Sequence, residues 1–184
     1  MPGGNGRLAT EAAAELVRAL VRDVPDFPSP GIAFKDITPV LADPRALAAV
    51  VAALARTAPD GVDLVAGTEA RGFLLAAPVA LALGAGVLPV RKSGKLPGPT
   101  LAESYQLEYG TAEVEVHPFT VPSGARVLVM DDVLATGGTA AATARLLERC
   151  GAQVVGLSFL LELPALRGRD RLLGRAVTSL VPLP

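Results

Sequence analysis

The chain has 184 residues, 51% of them hydrophobic and 19% charged, with 17 Lys and Arg against 18 Asp and Glu. That is enough apolar sequence for one domain with a core of its own, and it excludes a disordered polymer. A net charge of −1 leaves no basic footprint for DNA or RNA, and a single Cys and a single His leave no internal disulfide and speak against a catalytic triad or zinc site.

Met1 to Arg7 is Gly-rich and lacks the apolar core of a signal peptide, so a cytoplasmic protein is expected. Thr10 to Arg22 places Leu16, Val17, Leu20 and Val21 at helical spacing and ends before Pro25. Asp43-Pro44 is a helix start, with a capping carboxylate and a proline at the first helical position; that helix runs through Ala46–Arg56 to a Pro59-Asp60-Gly61 turn. Val62–Ala66 reads as a strand. The uncharged stretch Phe73 to Val90 meets the length rule for a membrane span, but Pro78, Gly84, Gly86 and Pro89 divide it into a helix Gly72–Leu83 and a strand Val87–Val90. Ser104–Tyr109 and Ala112–His117 alternate as an antiparallel pair about Gly110, with His117 closing the strand. Arg126–Met130 is a buried strand, Gly138–Arg149 a helix that ends at a packed Cys150, and Gln153–Leu161 and Val177–Val181 two more strands.

Unbroken Val and Leu strands separated by helices predict a mostly parallel sheet flanked by helices. The fold class is therefore α/β, one domain over residues 1–184, with a helical segment at 1–23 and a small antiparallel flap and hood loop at 91–117.

The segment Val127-Leu128-Val129-Met130-Asp131-Asp132-Val133-Leu134-Ala135-Thr136-Gly137-Gly138-Thr139 carries the chemistry. A buried strand is expected to end in two acids at a solvent-accessible position, followed by a loop that opens a helix. Free amides of Ala135 to Thr139, two glycines and two threonine hydroxyls make an anion cradle at a helix N-terminus. The carboxylates of Asp131 and Asp132 suit hydroxyls and a hydrated Mg²⁺ on the same ligand. Together they describe a site for a sugar 5-phosphate. A plain strand–turn–helix would not need the paired acids, and a nucleotide P-loop would need a lysine that is absent.

This segment resembles the phosphoribosyl-pyrophosphate motif of the type I phosphoribosyltransferases. Four others resemble the adenine phosphoribosyltransferase branch: Phe27-Pro28-Ser29-Pro30-Gly31-Ile32-Ala33-Phe34-Lys35-Asp36-Ile37-Thr38-Pro39, Glu69-Ala70-Arg71-Gly72-Phe73, Arg91-Lys92-Ser93-Gly94-Lys95-Leu96-Pro97-Gly98-Pro99-Thr100, and Ser104-Tyr105-Gln106-Leu107-Glu108-Tyr109-Gly110. The resemblance implies that Phe34 stacks on a purine, that main-chain groups of Ala33 and Lys35 meet its Watson–Crick edge, and that Leu163 closes the other face. Adenine N1 requires a donor and N6 an acceptor, and one backbone stretch supplies both. Without the resemblance, ordinary core packing is the lesser alternative for Phe34.

It also implies that Glu69, Ala70 and Arg71 bind pyrophosphate, commonly with a cis peptide between the first two. Arg91, Lys92 and Lys95 would belong to a hood that closes over the reacting centre, with Arg91 reaching the neighbouring site of a homodimer. Taken alone, the same basic segment would be a solvated surface loop. Glu108 would accept the proton adenine must lose, and Tyr109 would help cover the site, where an isolated reading leaves Glu108 as an exposed strand residue. The implied reaction joins adenine to phosphoribosyl pyrophosphate and releases AMP and pyrophosphate, with Mg²⁺, as a step of purine salvage. Rival readings are a type I enzyme for an oxo-purine or orotate, which would use a Lys or Arg side chain on the exocyclic oxygen, and a regulator that senses phosphoribosyl pyrophosphate without turnover.

Overall fold

Strand β7 (Arg126–Leu134) shows why the central sheet is covered on both sides. Val127 and Val129 pack into one apolar cluster, Leu128 and Met130 into another on the opposite face. A strand buried on both faces gains from apolar residues at every position, which is the unbroken run seen in the sequence. The computed structural model describes residues 3–106 and 110–184.

Around β7 lie β3 (Leu64–Thr68), β4 (Gly86–Lys92), β8 (Gln153–Glu162) and β9 (Val177–Pro182), all parallel, in the order β4-β3-β7-β8-β9. One face is covered by α5 (Gly138–Arg149), whose Ala142, Leu146 and Leu147 are fully buried. The other is covered by α1 (Gly3–Leu20), α2 (Thr38–Ala42), α3 (Pro44–Thr57) and α4 (Arg71–Leu83). Asp43 caps α3 as expected: its Oδ1 accepts from the amides of Arg45 at 2.8 Å and Ala46 at 2.9 Å. The uncharged stretch is divided as its glycines require, because Gly84, at φ 67°, ends α4 before β4 begins. Among the described residues no helix is long and apolar enough to cross a membrane.

Three features go beyond expectation. The antiparallel pair β5 (Leu101–Gln106) and β6 (Thr111–Val116) extends the main sheet, because β6 pairs with the end of β4 through Arg91↔Glu115 and Lys92↔Val114. A second, two-stranded sheet forms from β1 (Arg22–Val24) and β2 (Phe34–Asp36) across the Phe27–Ala33 loop, too short to signal itself by periodicity. Most important for function, β7 does not stop at Met130. The long β8 keeps pairing with it through Asp131↔Phe159, Val133↔Leu161 and Leu134↔Glu162, so both acids lie inside a strand.

Candidate active site

The carboxyl ends of β3 and β7 open side by side, and each feeds the N-terminus of a helix. After β7 the chain turns through Ala135, Thr136 and Gly137 into α5. Gly137 has φ 78°, a left-handed conformation that suits glycine, and no side chain caps the helix. The first amides of α5 therefore remain available as donors at the positive end of its dipole. They face a small hollow of about 70 Å³ lined by Asp131 and residues 133–140.

After β3, the Glu69–Ala70 peptide is cis and Arg71 begins α4, again without a side-chain cap. This end faces a cleft of about 500 Å³ that holds Glu69, Ala70, Arg71, Lys92, Asp131, Asp132 and Thr139 together. A third cleft, of about 640 Å³, is lined by Ala33, Phe34 and Lys35 on one side and Leu163, Ala165 and Leu166 on the other. Arg71 and Asp132 line both larger clefts, while Asp131 lines the hollow and the middle cleft, so the three spaces adjoin one another.

The acids are less exposed than a strand end would make them. Asp132 is only 6% exposed and pairs with Arg71 Nη2 at 2.7 Å. Asp131 Oδ1 accepts from the Asp132 amide at 2.8 Å. Burial and the adjacent Asp132 charge push the Asp131 carboxyl well above the usual range. The expectation of a solvent-accessible pair is corrected for Asp132, which is buried, whereas Asp131 keeps intermediate exposure. Gly72 lets α4 start close to β7, since a Cβ there would lie 2.9 Å from Met130 O and 3.0 Å from Asp131 Oδ1.

Arg71 is the hub. Besides Asp132, its Nη1 donates to the Lys35 carbonyl at 3.3 Å, and its guanidinium lies 4.5 Å from the Phe34 ring centroid. Phe34 also meets Phe27 edge-on at 5.0 Å. The Lys35 side chain points away to Asp23 at 2.8 Å, which leaves only its backbone toward the cleft.

Of the hood residues, Lys92 lines the middle cleft, whereas Arg91 and Lys95 do not appear in its wall among the described residues. Arg91 instead pairs with Glu69 of its own chain at 3.2 Å and donates to Lys95 O at 3.1 Å. Burial works to raise the Glu69 carboxyl, but the Lys92 amide and the Arg91 guanidinium outweigh it and hold it below the usual range. Glu108 and Tyr109 lie outside the described residues.

Sequence reading missed several supports. Glu115, 4% exposed, accepts from the amides of Lys95 and Leu96 at 2.8 Å each and from Thr100 Oγ1 at 3.2 Å, holding the hood from below. Tyr105 seats the flap on the start of α5 by accepting from Thr139 Oγ1 at 3.0 Å. Glu103 ties β5 to α5 through Arg145 at 2.8 Å and Arg149 at 2.7 Å. The alternation of Glu103, Glu113 and Glu115 along the flap was the available signal, but it resembles a solvated edge.

Among the described residues no cluster of three or more acidic, Cys or His side chains forms a metal cage. The donor set present, two adjacent carboxylates beside an anion cradle, fits an ion held chiefly by substrate oxygens and water.

The phosphoribosyl transferase domain family matches residues 36–179. An adenine phosphoribosyltransferase of Acidothermus cellulolyticus is 62% identical over 168 residues, covering 91% of this chain and 95% of that protein. The crystal structure of adenine phosphoribosyltransferase from Rhodothermus marinus superposes with a TM-score of 0.90 at 51% identity, covering 94% of this chain and 99% of that one. The Saccharomyces cerevisiae enzyme, solved with D-2,5-dideoxy-2,5-imino-altritol 1,6-bisphosphate and adenine, superposes at 0.87 and 37% identity over 92% of this chain and 99% of that one. The chain belongs to the adenine phosphoribosyltransferase family.

Proposed function

We propose that this protein converts adenine and phosphoribosyl pyrophosphate to AMP and pyrophosphate, as a cytoplasmic, Mg²⁺-dependent enzyme of purine salvage. The observation that carries the reading is the adjacency of three spaces: an aromatic–aliphatic cleft lined by Phe34 and Leu163, an acid pair, and an anion cradle at the start of α5. Their order matches a base, a ribose and a 5-phosphate.

In this reading Phe34 and Leu163 sandwich the purine while the backbone of Ala33 and Lys35 recognises its N1 and N6 edge. The Lys35 carbonyl already accepts from Arg71, so binding of the purine amino group has Arg71 share or leave that bond. Pyrophosphate leaves toward Ala70, Arg71 and Lys92, where the guanidinium fork and free helix amides stabilise the charge that develops on it. Asp131 and Asp132 hold the ribose hydroxyls and favour positive charge on the anomeric carbon. The amides of Ala135 to Thr139 anchor the 5-phosphate, and Glu108 takes the imidazole proton. Bound Mg²⁺ would supply charge neutralisation on the leaving group, with Asp131 and Asp132 accepting from its water shell.

Assembly as a homodimer is part of the proposal, with Arg91 turned from Glu69 toward the neighbouring site. The α4 face supports it, where Leu74 and Leu81 stand exposed, Leu81 by 82%. The test is to incubate the protein with Mg²⁺, phosphoribosyl pyrophosphate and each of adenine, hypoxanthine, guanine, xanthine and orotate. AMP formed from adenine, well ahead of the nucleotide from any other base, is expected; preferential use of another base, or no nucleotide at all, overturns the reading.

A further inference from the structure

The phosphate loop has no lysine, so its grip on an anion depends on where its backbone amides point. What holds that backbone in place lies elsewhere in the chain, in the segment from Leu163 to Leu172. Gly168 is buried against the loop. A Cβ on it would press into the Ala135 carbonyl and stand 2.9 Å from Leu134 Cδ1. A Cβ on Gly137 would in turn press into the carbonyl of Gly168, with the Gly168 Cα at 3.3 Å. Two glycines distant in sequence thus each leave room for the other's backbone.

Both ends of the segment are clamped. The Leu163 amide donates to Leu134 O at 2.9 Å, directly ahead of the loop. Arg169 grips the Glu162 carboxylate with two prongs, at 2.7 and 2.8 Å, and donates to Val177 O at 3.1 Å. Leu172 is 2% exposed and packs with α5 in the core. Clamped at both ends, the middle of the segment cannot yield when the loop presses on it.

We propose that this segment, through Gly168, is a brace that positions the amides of Ala135 to Gly138 for the sugar phosphate, which makes Gly168 a positioning residue. The inference rests on the phosphoribosyl reading above. A methyl at Gly168 displaces the loop at Ala135, and a displacement of about 1 Å at a positioned group can cost roughly a hundredfold. Val133 and Ala135 also line the base cleft, but Thr136, Gly137 and Gly138 line the hollow and not that cleft, so the larger effect falls on the sugar phosphate.

The experiment measures ribose 5-phosphate binding by calorimetry, KM for both substrates, and Tm, in the wild type and in Gly168→Ala, Arg169→Lys and Asp170→Ala. Wild-type turnover comes first, because its absence overturns the phosphoribosyl reading, whereas turnover with an unaffected Gly168→Ala variant overturns only the brace. Gly168→Ala is expected to weaken ribose 5-phosphate and raise KM for phosphoribosyl pyrophosphate by roughly tenfold or more, with a clearly smaller rise in KM for adenine. An equal rise for both substrates overturns the proposal. Asp170→Ala, which removes an exposed charge from the same segment, is expected to bind normally; a loss matching that of Gly168→Ala shows charge rather than steric bracing and also overturns it. Should Gly168→Ala not fold, Arg169→Lys, which keeps the charge but loses the two-pronged grip, carries the test: weakened ribose 5-phosphate supports the brace and unchanged binding ends it.

Discussion

Asp131 and Asp132 occupy adjacent positions in β7 but differ in circumstance. Asp132 has the Arg71 guanidinium as counter-ion, while Asp131 has burial and a neighbouring carboxylate against it. A carboxyl whose native pKa is raised opposes folding at neutral pH, where the unfolded chain ionises it freely. That cost fades as pH falls through the native value toward 3.8. Asp131→Asn is therefore expected to raise Tm, by about 2–4 °C per kcal/mol recovered in a chain of this size, while lowering kcat/KM by about a hundredfold. Thermal denaturation beside steady-state kinetics checks both signs, and a destabilised but active variant contradicts the assignment. Arg71 serves a carboxylate, a carbonyl and an aromatic face through one planar fork, so Arg71→Lys is not conservative. It is expected to raise KM for phosphoribosyl pyrophosphate, measured at saturating adenine.

At the scale of elements, the hood depends on one buried acid. Burial works to raise the Glu115 carboxyl, yet the amides of Leu96, Lys95 and Gly94 and the Thr100 hydroxyl outweigh it and hold it below 4.5. A depressed native pKa contributes stability that is present above the unfolded value and lost as pH falls through the native one. Loosening of residues 93–100 is expected as pH drops below 4.5, and at neutral pH in Glu115→Ala. Hydrogen exchange of the Lys95 and Leu96 amides reports it directly; unchanged protection in the variant refutes the latch. The β2 backbone carries the sharpest specificity expectation. Hypoxanthine exchanges a donor and an acceptor on the edge that Ala33 and Lys35 would read, at roughly 1–3 kcal/mol per mismatch, with discrimination reaching about 10⁴-fold in favourable sites. Adenine should thus exceed hypoxanthine and guanine in kcat/KM, and Glu108→Gln should slow adenine turnover without inverting the order. Comparable wild-type values for adenine and hypoxanthine would remove the backbone from base selection.

For the whole molecule, the open question is whether one chain makes one complete site. Arg91 rests on its own Glu69 at 3.2 Å, outside the wall of the middle cleft. If it serves a neighbouring site, Arg91→Ala and Asp131→Ala subunits are each inactive alone, and mixing them restores part of the activity through one hybrid site that has both groups. Mixed dimers that form and recover nothing assign Arg91 to its own subunit.

Periodicity and punctuation alone determined the parallel core, the two helices that start beneath the clefts and the anion cradle. Asp43-Pro44, Gly84 and the run Val127–Thr139 act locally, through capping, backbone freedom and burial on both faces. That Phe34 and Leu163 line one cleft was legible only through resemblance to a family, since residues so far apart in the chain carry no local sign of sharing it. Tertiary structure alone decided the rest. The length of β7 follows from its partner β8, the pairing of Asp132 from the placement of Arg71 at the start of α4, and the hold on the hood from Glu115 beneath it. The meeting of Gly137 with Gly168 belongs to the same class: a steric fit between backbones remote in sequence leaves no trace in either segment, because absence of a side chain marks a turn and a close approach alike.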